Sequence, residues 1–278
     1  MEKVLIVGLG EVGRPLYEII RESGKFEVYG YDVNIEKIPK DQPDIPQNID
    51  IMHICYPCQS KTEFIEATIS YIKHFNPMLT IINSTVAPGT TEQIFKKTRA
   101  KIVHSPVRGI HKNMKKDLFF WTKYIGAFDK ESALKASEHF QKLGIKTKIL
   151  RSPIETELAK LFETTYRALM IAWFQEMHRI CKFFEANFVE VIEMLEDVHK
   201  VRLDRPVFYP DVIGGHCLIP NAKLLLSVYD SKFVELILES NEKRKKEIND
   251  PDVKREIEVL KDKVRNLELE ISRYPYKN

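Results

Sequence analysis

The chain has 278 residues, 44% of them hydrophobic and 30% charged, with a formal net charge of +3 and four cysteines. That length holds more than one domain, and the composition is that of a globular protein. A charge so near zero with no basic stripe excludes nucleic acid as a partner, four cysteines do not make a disulfide scaffold, and no apolar run is long enough to span a membrane.

The amino terminus enters a strand-like run, Val4–Val7, at once, so no leader peptide is expected and a reducing cytoplasm is the expected setting. The glycines Gly8-Leu9-Gly10-Glu11-Val12-Gly13 follow, then a helical pattern at Val12, Leu16, Ile19 and Ile20. A second strand, Phe26–Tyr31, ends on Asp32, about 20 residues beyond the glycines. Strand, glycine turn, helix and terminal acid together predict a dinucleotide site. Gly8 turns the chain, Gly10 admits the pyrophosphate and Gly13 lets the helix pack on its strand. The helix amino end, with Leu9, Glu11 and Val12 in the approach to it, faces the phosphates. Asp32 would accept from the ribose hydroxyls and repel a 2′-phosphate, so the expected cofactor is NAD rather than NADP.

The alternation continues through strands at 51–56, 80–83, 102–104, 124–127 and 147–150, with helices at 61–75, 90–97 and 130–143. This predicts parallel βα units on one sheet, hence a doubly wound, Rossmann-type α/β fold over residues 1–151. Cys55-Tyr56-Pro57-Cys58 has metal or redox spacing but no second ligand pair, so it reads as packing beside the cofactor, with Tyr56 near it and no metal expected. Ser84-Thr85-Val86-Ala87-Pro88-Gly89-Thr90-Thr91 falls at a strand's carboxyl end, where such folds bind ligands. Its hydroxyls suit substrate or nicotinamide, or equally helix capping. Arg108, His111, Lys112, Lys115 and Lys116 cluster after a strand; an anionic substrate could use them, as could plain solvation.

Ser152-Pro153 with Glu155 and Glu157 starts a long helix that meets no breaker before about residue 185. Lys160 and Thr164 share a face of it, with Arg167 close by. A lysine there could stabilise a developing alkoxide or order a water. Gly214-Gly215-His216-Cys217 then presents a thiol that could capture an aldehyde covalently, although most free cysteines are buried packing.

The glycine fingerprint, Ser84-Thr85-Val86-x-Pro88-Gly89-Thr90, Glu157-x-x-Lys160 and Gly214-Gly215-His216-Cys217 occur in that order. Over roughly residues 1 to 230 the chain thereby resembles the UDP-glucose/GDP-mannose dehydrogenase family, nearest its N-acetylmannosamine dehydrogenase branch. The resemblance implies oxidation of a nucleotide-sugar primary alcohol at C6 to a carboxylate with two NAD, as in polysaccharide biosynthesis. Cys217 would form the thiohemiacetal and then the thioester, Lys160 would stabilise the oxyanion, and Thr85 would help position the water. The helix from Pro153 would form a homodimer interface.

Three departures stand against that pattern. Thr164 replaces the branch's Asn, Asn221 replaces the acid four positions after the cysteine, and residues 105–111 carry no acid. Asn221 cannot accept a proton, which leaves room for a one-step hydroxyl dehydrogenase. The family's C-terminal nucleotide-sugar domain is expected to be lacking, which leaves room for an NAD-binding regulatory protein. In its place Val253, Ile257, Leu260, Val264, Leu267 and Ile271 alternate four and three apart, a coiled-coil-like helix. The expected organisation is thus an NAD-binding domain at 1–151, a helical domain with the cysteine motif at 152–240 and a charged C-terminal helix at 241–278.

Overall fold

The computed structural model describes residues 1–109 and 113–271, with side chains described as far as Asn266. Ile110, His111 and Lys112, and the side chains of Leu267 and Ile271, lie outside the described residues. The chain divides into two compact units, Met1–Phe162 and Glu163–Asn278.

The first unit is built on seven strands: β1 (Glu2–Val7), β2 (Phe26–Tyr31), β3 (Ile51–Ile54), β4 (Leu79–Ile82), β5 (Ile102–His104), β6 (Lys123–Ala127) and β7 (Thr147–Leu150). Their order in the sheet is β2-β1-β3-β4-β5-β6-β7. The strand order reverses between β1 and β3, the switch point at whose carboxyl end such folds bind ligands, and the glycines follow β1 there. Helices α1 (Gly13–Ser23), α2 (Lys61–Phe75), α3 (Thr90–Thr98), α4 (Met114–Phe120) and α5 (Lys130–Lys142) make the connections. The doubly wound α/β expectation holds, with one correction. β6 pairs antiparallel with β5 and parallel with β7, so the last two strands run against the rest. An apolar run reads the same in either direction, so the alternation of elements gave no sign of this reversal.

Local chemistry starts and stops the helices. Ser60 and Asp129 accept from Glu63 N and Ser132 N to begin α2 and α5. Gly24 ends α1 at φ 62° and Asn76 ends α2 at φ 44°. Val4, Leu5, Ile6, Ile54, Leu79 and Ile81 are wholly inaccessible to solvent, each contributing roughly 2 kcal/mol by burial. The same core holds polar groups. The Nε2 atoms of His53 and His139 lie 3.0 Å apart, and Asn83 Nδ2 is 3.1 Å from His53 Nδ1. Burial lowers the pKa of all three core histidines, with His104 and His139 at about 3.

Helix α6 (Pro153–Phe183) begins in the first unit and continues in the second. Its start approaches β6 so closely that a Cβ on Gly126 would lie 2.7 Å from Pro153 Cα. The second unit adds α7 (Phe188–Arg202), α8 (Leu218–Leu226), α9 (Lys232–Glu247) and α10 (Pro251–Ile271). Phe174 and Cys181 of α6 pack with Phe188 and Ile192 of α7, and with Leu260 and Val264 of α10. Inside this unit the Arg244 guanidinium donates to Gln175 O at 3.0 Å and to His178 Nδ1 at 3.2 Å. Arginine only donates, so His178 Nδ1 accepts and its Nε2–H is left to donate to Glu256 Oε2 at 2.6 Å. The described apolar positions of the C-terminal seam, Val253, Ile257, Leu260 and Val264, are therefore buried within their own unit.

Candidate functional site

In the first unit the glycine turn is as tight as its sequence requires. Gly8 has φ 92°, and a Cβ there would lie 2.7 Å from Tyr56 N. A Cβ on Gly13 would strike the Gly8 carbonyl and crowd Cys55 Cβ at 3.1 Å, so only glycine lets α1 begin against β1. Around Gly10 nothing lies within 4 Å of the corresponding position. Val12 stands at the head of α1 without a side-chain cap, and no acid occupies the first turn. Asp32 is 9% exposed, taking Leu9 N at 2.7 Å on Oδ2 and Asn34 N at 2.9 Å on Oδ1. These two amides aim the carboxylate from the end of β2 and leave each oxygen a further lone pair. Glu11 lies exposed in the same turn.

Tyr56 follows β3, its hydroxyl 2.7 Å from Thr68 Oγ1, and burial raises its pKa. Cys55 and Cys58 are buried free thiols, pushed up by burial to about 12 and about 11. At those values neither forms a thiolate near neutrality.

The segment 84–91 leaves β4 and enters α3. Ser84 Oγ is committed to Tyr56 O at 2.6 Å, and Thr90 Oγ1 to Ala87 O at 2.6 Å. Ser84, Val86 and Ala87 are buried, whereas the Thr85 side chain is half-buried and thus reaches the surface. No threonine caps α3; its cap position is Gly89, at φ 81°. That role falls to Glu157 of α6, 1% exposed, whose Oε2 takes Gly89 N at 2.7 Å and whose Oε1 takes Thr91 N at 2.9 Å and Thr91 Oγ1 at 2.6 Å. The early acid that serves the start of α6 is instead Glu155, accepting from Ser152 Oγ at 2.6 Å. Lys160 is half-buried on α6, one turn beyond Glu157.

Of the basic cluster after β5, Arg108 lies 4.4 Å over the Trp121 ring and Lys115 pairs with Glu22 at 2.6 Å. The fold also brings an acid to the stretch where 105–111 had none. Asp117 of α4 is fully buried against Gly109, whose φ of 138° keeps a side chain out.

In the second unit Cys217 is half-buried at the cap position of α8, preceded by Gly215 at φ 77° and by exposed His216. The approach to this turn is pinned by Asn241 of α9, buried, whose Oδ1 accepts Ile213 N at 2.7 Å. Asn221, one turn into α8, returns its backbone N to Cys217 O at 2.9 Å. Its Nδ2 donates to Thr164 Oγ1 at 3.2 Å, so the two residues that depart from the family pattern are bonded to each other. Arg167 stacks over the Phe208 ring at 5.6 Å. Sequence reasoning missed Asn241, Asp117 and the duty of Glu157; only for Glu157 was there a signal, the second acid early in a helix that already had one.

Residues 154–243 match the family model described as UDP-glucose/GDP-mannose dehydrogenase family, central domain. The resemblance carried by the motifs holds. A UDP-N-acetyl-D-mannosamine dehydrogenase of Methanocaldococcus jannaschii is 27% identical over 259 residues, 78% of this chain and 60% of that protein. One from Methanococcus maripaludis is 25% identical, over 87% of this chain and 65% of its own length. The chain thus spans less than two thirds of these curated relatives. Among solved structures, UDP-D-ManNAc dehydrogenase from Pyrococcus horikoshii has a TM-score of 0.74 at 23% identity, covering 87% of this chain and 68% of its own. The Mycobacterium tuberculosis 3-hydroxyisobutyrate dehydrogenase has a TM-score of 0.65 at 16% identity, covering 94% of this chain and 99% of its own. Both share the fold.

Proposed function

We propose that this chain is an NAD-dependent dehydrogenase that oxidises the C6 primary alcohol of a nucleotide sugar through a covalent intermediate on Cys217. The observation that carries this reading is Cys217 itself, half-buried at the amino end of α8 within the segment matched by the family model. The residues of the first unit suit the cofactor: Gly8 and Gly13 leave room that any Cβ would fill, and Asp32 is aimed by two backbone amides. Leu9 to Val12 would line the pyrophosphate, Asp32 the adenosine ribose, and Tyr56 and Thr85 the remainder. When bound, NAD supplies the hydride acceptor.

The Cys217 thiolate would add to the aldehyde carbon, giving a thiohemiacetal whose loss of a second hydride leaves a thioester for water to cleave. Lys160 opposes the oxyanion charge, and Thr85 holds the attacking water. The basic cluster of Arg108, His111, Lys112, Lys115 and Lys116 would suit a diphosphate. Residues 1–151 serve as the NAD-binding domain, 152–240 as the helical domain that carries the thiol, and α6 as the interface between two copies. A panel of nucleotide sugars that includes UDP-N-acetyl-D-mannosamine, assayed for NADH and carboxylate, tests the reading. Two NADH per carboxylate are expected, with Cys217→Ser abolishing carboxylate; full carboxylate output from Cys217→Ser would overturn it.

One observation favours a second reading. Asn221 cannot act as a base, and its amide is already bonded to Thr164. A one-step hydroxyl dehydrogenase on the same scaffold predicts one NADH and a carbonyl product in that assay.

A further inference from the structure

The amino end of α3 has a cap brought from elsewhere in the chain. A local Ser, Asp or Asn could cap it from the cap position, and Gly89 has no side chain with which to do so. The carboxylate comes instead from Glu157, 66 and 68 residues further along, and meets three donors: two amides and one hydroxyl. Burial raises the Glu157 pKa, and the donors at Thr91 and Gly89 work against that rise without cancelling it. The same loop is held from α2, where Lys61 Nζ donates to Pro88 O at 2.7 Å. The loop therefore cannot shift without breaking bonds to the first turns of α6. Thr85 rides on the loop, and Lys160 lies one turn past Glu157 on the helix.

We propose that Glu157 is a positioning residue that locks the Thr85 loop and the Lys160 helix into one frame. The assignment rests on the dehydrogenase reading, which gives Thr85 and Lys160 their roles. Glu157 touches no reacting atom, so its removal would reach the chemical step only through the placement of Thr85 and Lys160. Reactions between groups held for attack lose about tenfold to a hundredfold when displaced by an ångström or less. Cofactor affinity rests mainly on Gly8 to Gly13 and Asp32 and should change little, through the Thr85 contact alone.

The test uses the full chain with Glu157→Gln, Thr91→Val and Thr91→Ser. It measures kcat and KM with whichever nucleotide sugar of the panel is turned over, NAD affinity by calorimetry, and Tm. Gln would turn an amide NH2 toward one of the donors, and Val removes the Thr91 hydroxyl at nearly constant volume, whereas Ser keeps it. The expected result is a fall in kcat of about tenfold or more for Glu157→Gln and a smaller fall for Thr91→Val. KM and NAD affinity should stay within about twofold, and Thr91→Ser should restore kcat. Should Glu157→Gln fail to fold, the Val and Ser pair decides alone. Unchanged kcat in Thr91→Val with a lowered Tm would overturn the assignment and leave Glu157 a simple cap. If the wild type binds NAD but turns over no member of the panel, the dehydrogenase reading falls, and this assignment falls with it.

Discussion

Lys123 opens β6 with its ammonium wholly inside the protein, donating to Ser105 O and lying 5.0 Å over the Phe140 ring. A carbonyl and a ring face replace less of the lost hydration than a carboxylate would, and burial lowers the Lys123 pKa to about 7. The unfolded chain keeps that proton to about pH 10.4, so above pH 7 the unfolded state binds more protons and stability rises with pH. The rise ends near pH 9, where unfolded thiols ionise while Cys55 and Cys58 stay protonated to about 12 and about 11, which reverses the sign. Urea unfolding of the wild type should gain about 2 kcal/mol between pH 7 and 9 from this group, and Lys123→Met should lack the gain. Parallel pH profiles for the two proteins would show that Lys123 stays charged and compensated. Nothing in Thr122-Lys123-Tyr124 distinguishes this lysine from the exposed ones, since burial is decided by the strands on either side. Glycines differ in this respect. Gly8, at φ 92°, and Gly13, against the Gly8 carbonyl, were legible because part of the constraint they satisfy lies within their own turn.

At the level of elements, α10 has two properties that sequence periodicity could not separate. A four-three apolar spacing serves a coiled coil between chains and a helix laid on its own domain alike. Its described seam is filled by the second unit itself, with Leu260 wholly buried against α6 and α7 side chains and Lys263 reaching Glu193 at 2.9 Å. Leu260→Ala should therefore cost about 2–5 kcal/mol. Val259→Ala, at a position 48% exposed, should stay within about 0.5 kcal/mol. Equal effects in thermal unfolding would mean that α10 is not held by its apolar face. The polar clamp from Arg244 through His178 to Glu256 adds direction to that contact, since each group in it can bond in only one sense.

For the molecule as a whole, the second unit leaves large apolar side chains of α6 in solvent: Tyr166 60%, Trp173 52% and Phe183 81% exposed. Tyr166, Trp173 and Ile180 recur every seven residues, which puts them on one face of the helix, and an apolar stripe of this kind is a common site of association. The occupant we propose is a second copy of this helix, since a two-fold axis lets one stripe cover another. Sedimentation equilibrium should give a dimer for the wild type and a monomer for Trp173→Glu with unchanged helical signal. A monomeric wild type would exclude this interface.

Features whose causes lie within a few residues were legible in the chain: the strand–glycine–helix turn, most element boundaries in the first unit, the start of α6 at Pro153, and the Gly-Gly-His-Cys run ahead of α8. These follow from backbone sterics, side-chain periodicity and caps, which act over a turn or less. Packing settled the rest: β6 runs backwards, Glu157 caps a helix other than its own, Thr164 and Asn221 bond to each other, and Lys123 is buried. Each of these depends on which distant segments meet. Burial and hydrogen-bond pairing are collective properties of the packed chain, and no local pattern encodes the partner.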